Sequence, residues 1–307
     1  MLVNTPMIIF IYTNQHLRKQ KEVIIIGFIC LADLSNATAF FFAGIHRLGL
    51  VRSGNASMKW TNFDCAHTIF AYIFIFSYQL IGVSTLSITF DRVIAVIKPF
   101  KYRSFSWRYA YSIVGGGLLY VTIGFLICLY FWLTGPILTV PAMCYTSTAY
   151  IPAIWHYMLF FRQCSIGISI CLYVPISIRV LWLRRNAMKR SANSHPTGKG
   201  YNPHRRLVKT TILIGITLCC EILFVAVPDF FLNFNLFGWK KYEMIWYLIV
   251  LSKGIVNIFL YSFKHDDIKA ALISKLPSCL QTQLHRVFHS PSAMAATPVT
   301  TVTVIVK

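Results

Sequence analysis

Six stretches of this chain, roughly 23–46, 63–96, 109–133, 155–183, 205–234 and 242–263, are apolar for long enough to cross a bilayer. A spanning helix needs about 20 such residues. Hydrocarbon offers no water to backbone amides, so the segments satisfy their hydrogen bonds internally, as helices. A shorter apolar piece, MLVNTPMIIFIY, opens the chain. At about 1.5 Å per residue it crosses only part of a bilayer. It reads as the inner half of a first helix whose outer half is missing. The expected fold is an all-α membrane protein: a seven-transmembrane helix bundle with a truncated first helix and a short amphipathic helix after the seventh.

Composition agrees. The chain is 56% hydrophobic and 12% charged, about half the charged fraction of a soluble domain. Its net charge of +20 would suit nucleic acid if the charges were spread evenly, and they are not. Of the 29 Lys and Arg residues, 22 fall in alternate loops and in the C-terminal tail. Only Arg47, Arg52, Lys59, Lys240 and Lys241 fall in the others. Cytoplasmic loops hold the basic excess, which places the N-terminus outside and the C-terminus in the cytoplasm. No nucleic-acid partner is implied, whereas membrane lipids, anionic ones included, suit that face. The first residues lack a charged n-region and a small-residue cleavage site, so no cleavable signal is expected.

Residues 1–276 read as one membrane domain and 277–307 as a flexible cytoplasmic tail. Phe263, Ile268, Leu272 and Leu276 repeat at helical spacing, as in a helix lying on the membrane surface. Cys30, Cys128, Cys164, Cys171, Cys219 and Cys220 lie within spans and read as small packing residues. Cys65 and Cys144 fall on the outer side, where the compartment permits a disulfide. Cys279 is a candidate for S-palmitoylation. The Asn55-Ala-Ser sequon lies in an outer loop and is usable for glycosylation, whereas Asn36-Ala-Thr lies inside a span. The run Gly115–Gly117 reads as a helix-packing surface. No residue pattern implies a metal, a cofactor or a catalytic nucleophile.

Charges inside spans are costly and usually paired or functional. They include Asp33, Arg162, Glu221, Asp229 and, in VLSKGIVNIFLYSF, Lys253. Lys253 stands four residues before Asn257, on the same helical face one turn outward.

Several small features then fall into one order: LADL with Asp33, TFDRVIAVIKPFKYRSF, Pro228 in FVAVPDFF, and NIFLY from Asn257 to Tyr261. With Cys65 and Cys144 placed as they are, the chain resembles rhodopsin-like (class A) G-protein-coupled receptors over nearly its whole length. The run DRVIAVIKPFKYR is most similar to nematode serpentine chemoreceptors of the Srsx group. The resemblance implies a chemosensory receptor in the plasma membrane, sensing an extracellular small molecule or peptide and activating a heterotrimeric G protein. It implies no enzyme activity and no cofactor. Asp91 and Arg92 match the pair at the inner end of the third helix. Asn257 and Tyr261 match the seventh-helix motif, Pro228 the sixth-helix kink, Asn4 the first-helix asparagine, and Cys65 with Cys144 the outer disulfide.

There are departures. Ile258 replaces the seventh-helix proline, and Ala226 the aromatic residue before Pro228. Val208 and Lys209 stand where an acidic partner for Arg92 is expected, so an interhelical lock there is not expected and resting activity is raised. Family members commonly hold a sodium ion between the second-helix acid and a third-helix serine. Ile81 takes the serine's place here. Lys253 is therefore expected to pair with Asp33 and replace the ion, with Glu221 as the other candidate partner. The ligand pocket would be drawn from Phe70, Phe74, Tyr78, Arg162 and Asp229. The plainer reading makes the aromatic stripe packing and lets Arg162 extend outward. No acid stands near Phe74, which disfavours a simple amine ligand. A neuropeptide-type receptor of the same class is the alternative. A transporter would show repeat symmetry, which is absent. In a retinal pigment the lysine stands six residues before the matching asparagine, where this chain has Leu251.

Overall fold

The computed structural model of the protein describes residues 4–192, 203–234, 238, 242–264 and 268–269. The tail at 277–307, Cys279 and most of the proposed amphipathic helix lie outside the described residues.

The chain opens with α1 (Asn4–Thr13) and the single turn α2 (Gln15–Arg18). The long α3 (Lys21–Arg52) follows, then strand β1 (Lys59–Thr61) and the short α4 (Asn62–Ala66). Next come α5 (Ile69–Ile97), α6 (Pro99–Ser104), α7 (Trp107–Thr134), strand β2 (Thr139–Pro141) and α8 (Thr146–Ala149). Then α9 (Pro152–Ala192), α10 (Pro203–Glu221), a π turn (Ile222–Ala226), α11 (Val227–Phe234) and α12 (Glu243–Lys264). Among the described residues six segments are helical, long and apolar enough to cross a membrane, which makes the chain a multi-pass, all-α integral membrane protein.

The boundaries follow local chemistry. Asn14 accepts from the His16 and Leu17 amides and so caps α2. Ser106 caps α7 through the Arg108 amide. Thr61 and Asp64 form a reciprocal capping box that starts α4 as its own helix. The stretch expected to run unbroken from 63 to 96 is therefore two helices, with the break at His67 and Thr68. The Thr61 amide and hydroxyl both donate to Asp64 and hold its carboxyl below its ordinary value.

Helix α5 is the axis of the bundle and packs against α3, α7, α9 and α10. Its buried hydroxyls bond their own backbone: Thr85 donates to the Ile81 carbonyl at 2.8 Å and Thr89 to the Thr85 carbonyl at 2.9 Å. That satisfies polar groups where no water competes. Helix α7 approaches α5 on small residues. A Cβ at Gly124 would stand 2.1 Å from Gln79 Oε1, and one at Gly117 2.9 Å from Val83 Cγ1. The packing reading of the glycine run thus holds for Gly117, whereas Gly115 and Gly116 face open space.

At one end of the bundle β1 pairs antiparallel with β2, and Cys65 is bonded to Cys144. Helix α3 reaches this end because Arg47, beyond the expected limit of its span, donates to the Met143 and Cys144 carbonyls. Asn55 is exposed just beyond α3, whereas Asn36 is buried within it. At the other end Lys21 and Glu22 of α3 meet Arg92 and Tyr102.

Candidate functional site

Among the described residues three polar clusters occupy the interior. The first joins α3, α10 and α12. Lys253 Nζ lies 2.9 Å from Asp33 Oδ1 and 2.7 Å from Glu221 Oε1, and all three residues are buried. Sequence reading offered these carboxylates as alternatives, and the structure joins both to one ammonium. An ammonium has three donors and can serve two acids at once. The Asn257 amide takes the remaining oxygen of Asp33 at 2.9 Å. Asn4 of α1 lies against the same place, its Nδ2 3.2 Å from where a Cβ on Gly254 would stand. One turn further along α12, Tyr261 is fully buried and its hydroxyl lies 3.5 Å from Thr217 Oγ1. These residues do not fit a resident monovalent cation, because the Lys253 ammonium fills the position between the two carboxylates.

The second cluster joins α9 and α11 across α5. Arg162 Nη2 stands 2.5 Å from each oxygen of Asp229. Its guanidinium lies 3.8 Å above the Tyr78 ring. Gln163, which sequence reading missed, donates to Asp229 Oδ2 at 3.2 Å and to the Ala226 carbonyl at 3.3 Å. Arg162 is 1% exposed, so it does not extend outward. The π turn between Glu221 and Asp229 is visible in the Val227 amide, which donates to the Ile222 carbonyl five residues back. Pro228 explains it. Its ring collides with the carbonyl four residues back in a regular α-helix, and a wider turn relieves that.

The third cluster closes the basic end. Arg92 is buried and donates from Nε and Nη2 to Asp91 Oδ2 at 3.0 and 2.5 Å. Its Nη1 lies 3.5 Å from Glu22 Oε1. Burial raises the Tyr102 phenol well above its ordinary value. It stays protonated, donates to Asp91 Oδ2 at 3.1 Å and accepts from Arg92 at 3.1 Å. The sequence places no acid for Arg92 at the base of α10, where Val208 and Lys209 stand. The side chains of Val208 and Lys209 are outside the described set, and the acid comes from α3. Eleven residues separate Glu22 from Asp33, about three helical turns, so the shared face was present in the sequence.

No protein-family model matches this chain, and no curated protein does.

The aromatic residues proposed as a pocket are packed together. Phe70, Phe74 and Tyr78 are 3%, 0% and 3% exposed within one apolar cluster. Phe74 meets Phe40 edge-on at 4.8 Å, and Tyr78 meets Trp155 at 5.8 Å. In this arrangement they are packed within the core. A cavity of about 700 Å³ lies instead between α3 and α12, with Asn4, Asp33, Asn36, Phe40, Leu251 and Gly254 among its walls.

Proposed function

We propose that the chain is a signalling receptor of the rhodopsin-like class, most similar to nematode chemoreceptors, and that it couples an extracellular ligand to a heterotrimeric G protein. In this reading α1 and the six spans are the seven helices. The disulfide end faces outward, the basic end faces the cytoplasm, and the membrane is the plasma membrane. The observation that carries it is Arg92. It is a fully buried arginine at the basic end of the central helix, held by Asp91, Glu22 and Tyr102. A charge held by several separable hydrogen bonds can exchange partners, whereas a structural cation in apolar packing cannot. The buried acceptors Glu221 Oε2 and Asn257 Oδ1 also support a second arrangement, since neither has a hydrogen-bond partner among the described residues. Buried acceptors seldom remain unpaired.

The mechanism is a population shift. A ligand at the outer end that prefers one arrangement stabilises it by its difference in affinity. The cytoplasmic end of α10 then moves away from α5, Arg92 leaves Glu22, and the basic face meets the G protein. Coupling is between two sites and needs no chemical step. Lys253 is engaged by two carboxylates, so its amine is not available to condense with an aldehyde pigment.

The test is basal nucleotide exchange on a panel of Gα subunits, driven by the protein in liposomes. Arg92→Ala is expected to lower exchange at least tenfold, roughly the worth of one charge-assisted hydrogen bond. Glu22→Gln, which weakens the restraint and keeps its shape, is expected to raise basal exchange several-fold. Wild-type exchange from Arg92→Ala, or no exchange on any Gα together with transport of solutes across the bilayer, would sink the reading.

A further inference from the structure

Beyond the receptor reading, and resting only on the membrane-spanning architecture, we infer a binding site for an anionic phospholipid where α2 meets the start of α7. A pocket of about 340 Å³ there is lined by Arg18, Lys19, Trp107 and Tyr111. The chain builds it by sending neighbouring cations in opposite directions. Leu17 is fully buried and pins the capped turn α2 against the bundle. Lys21 turns inward, donating to the Tyr102 and Phe105 carbonyls and lying 3.5 Å above the Tyr102 ring. Arg18 and Lys19 are left exposed, and neither side chain has an ion pair or hydrogen bond among the described residues. The described carboxylates of this end, Glu22 and Asp91, are committed to Arg92.

The opposite wall suits a lipid. Trp107 begins α7, is 44% exposed, and meets Tyr111 edge-on at 5.6 Å. Tryptophan and tyrosine favour the level of the headgroups. The Arg108 guanidinium lies 5.6 Å from the Trp107 ring and adds a third positive charge. From Tyr111 the same helical face continues to Gly115, four residues on, and then to Leu119. A Cβ at Gly115 would meet nothing within 4 Å, and Leu119 is 62% exposed. Gly115 was left unexplained by the packing of α7. In this site it provides a bare stripe of backbone along which an acyl chain lies, while the phosphate sits between Arg18 and Lys19. A free phosphate would use the two cations and not the stripe.

The experiment is native mass spectrometry of the full chain in neutral detergent. The probes are phosphatidylinositol 4-phosphate and phosphatidylcholine, each with and without excess inorganic phosphate. Wild type is expected to retain the anionic lipid in preference to phosphatidylcholine, and inorganic phosphate is expected to leave it bound. The double variant Arg18→Gln/Lys19→Gln should lose retention about 30-fold, from two cations near an anionic surface. Trp107→Ala should weaken retention without introducing phosphate competition. The variant Arg52→Gln/Lys59→Gln removes two exposed cations from the disulfide end and should bind as wild type does. Three results overturn the proposal: equal retention by wild type and the Arg18/Lys19 variant, an equal loss in the Arg52/Lys59 variant, or displacement of the lipid by inorganic phosphate. Thermal melting of each variant confirms that it is folded.

Discussion

Lys253→Met is expected to be among the most damaging single substitutions in this chain. Methionine keeps the apolar stem of the side chain as far as Cε and lacks only the ammonium, so packing changes little. What changes is charge. Lys253 is 2% exposed, and its removal leaves the buried Asp33 and Glu221 carboxylates near one another without a cation. Breaking a buried ion pair from one side costs about 3–5 kcal/mol. In a chain of this size that corresponds to a fall in melting temperature of roughly 10 °C. Neutralising the whole cluster should behave differently. The triple variant Asp33→Asn/Glu221→Gln/Lys253→Met leaves no unpaired charge, and replacing a complete buried cluster is often neutral or stabilising. Melting of detergent-solubilised protein checks both. A single variant as stable as wild type would mean that water or lipid headgroups reach the cluster.

The second large effect is expected at Arg162 and Asp229, and here the pair itself can be measured. Arg162→Met leaves Asp229 with only Gln163, and Asp229→Asn leaves a buried guanidinium over the Tyr78 ring. Each single change should cost several kcal/mol, whereas the double change should cost much less than their sum. Residues in one ion-pair network show coupling of about 0.5–3 kcal/mol in double-mutant cycles. The short forked contact places this pair at the upper end, about 2 kcal/mol or more. A coupling near zero would show that α9 and α11 are held by apolar packing and not by this pair. In the proposed receptor an effect on signalling should follow, because the pair ties α9 to the half of the span beyond Pro228.

Much of this was legible in the sequence, and the reason differs by feature. The six spans show themselves because hydrocarbon demands uninterrupted apolar length. The extension of α3 toward the disulfide end does not, because Arg47 and Arg52 lower its hydropathy, and only the Met143 and Cys144 carbonyls reveal why it stays helical. The acids near Lys253 were both nameable, but whether one or two reached it depended on the distance between α3 and α10. The spacing of Glu22 from Asp33 places it on the inward face, but nothing in the sequence shows that the start of α3 comes within reach of Arg92. Phe70, Phe74 and Tyr78 illustrate a deeper limit. Aromatic residues at helical spacing look alike in a sequence whether they line a pocket or fill a core, and only Phe40 and Trp155, from distant segments, decide it.

The wide turn before Pro228 has a consequence for which halves of its span face inward. Glu221 and Asp229 are eight residues apart. On a regular helix of 3.6 residues per turn that separation leaves them about 80° out of phase. Yet one meets Lys253 and the other Arg162, both inside the bundle. A π turn absorbs one extra residue, so the effective spacing is seven, about two turns and roughly 20° from perfect alignment. The proline therefore does more than bend the span: it keeps two carboxylates in rotational phase that the bare residue count would separate. The segment 222–226 holds one residue in surplus, and the chain can shed it there without turning either half of the span about its axis.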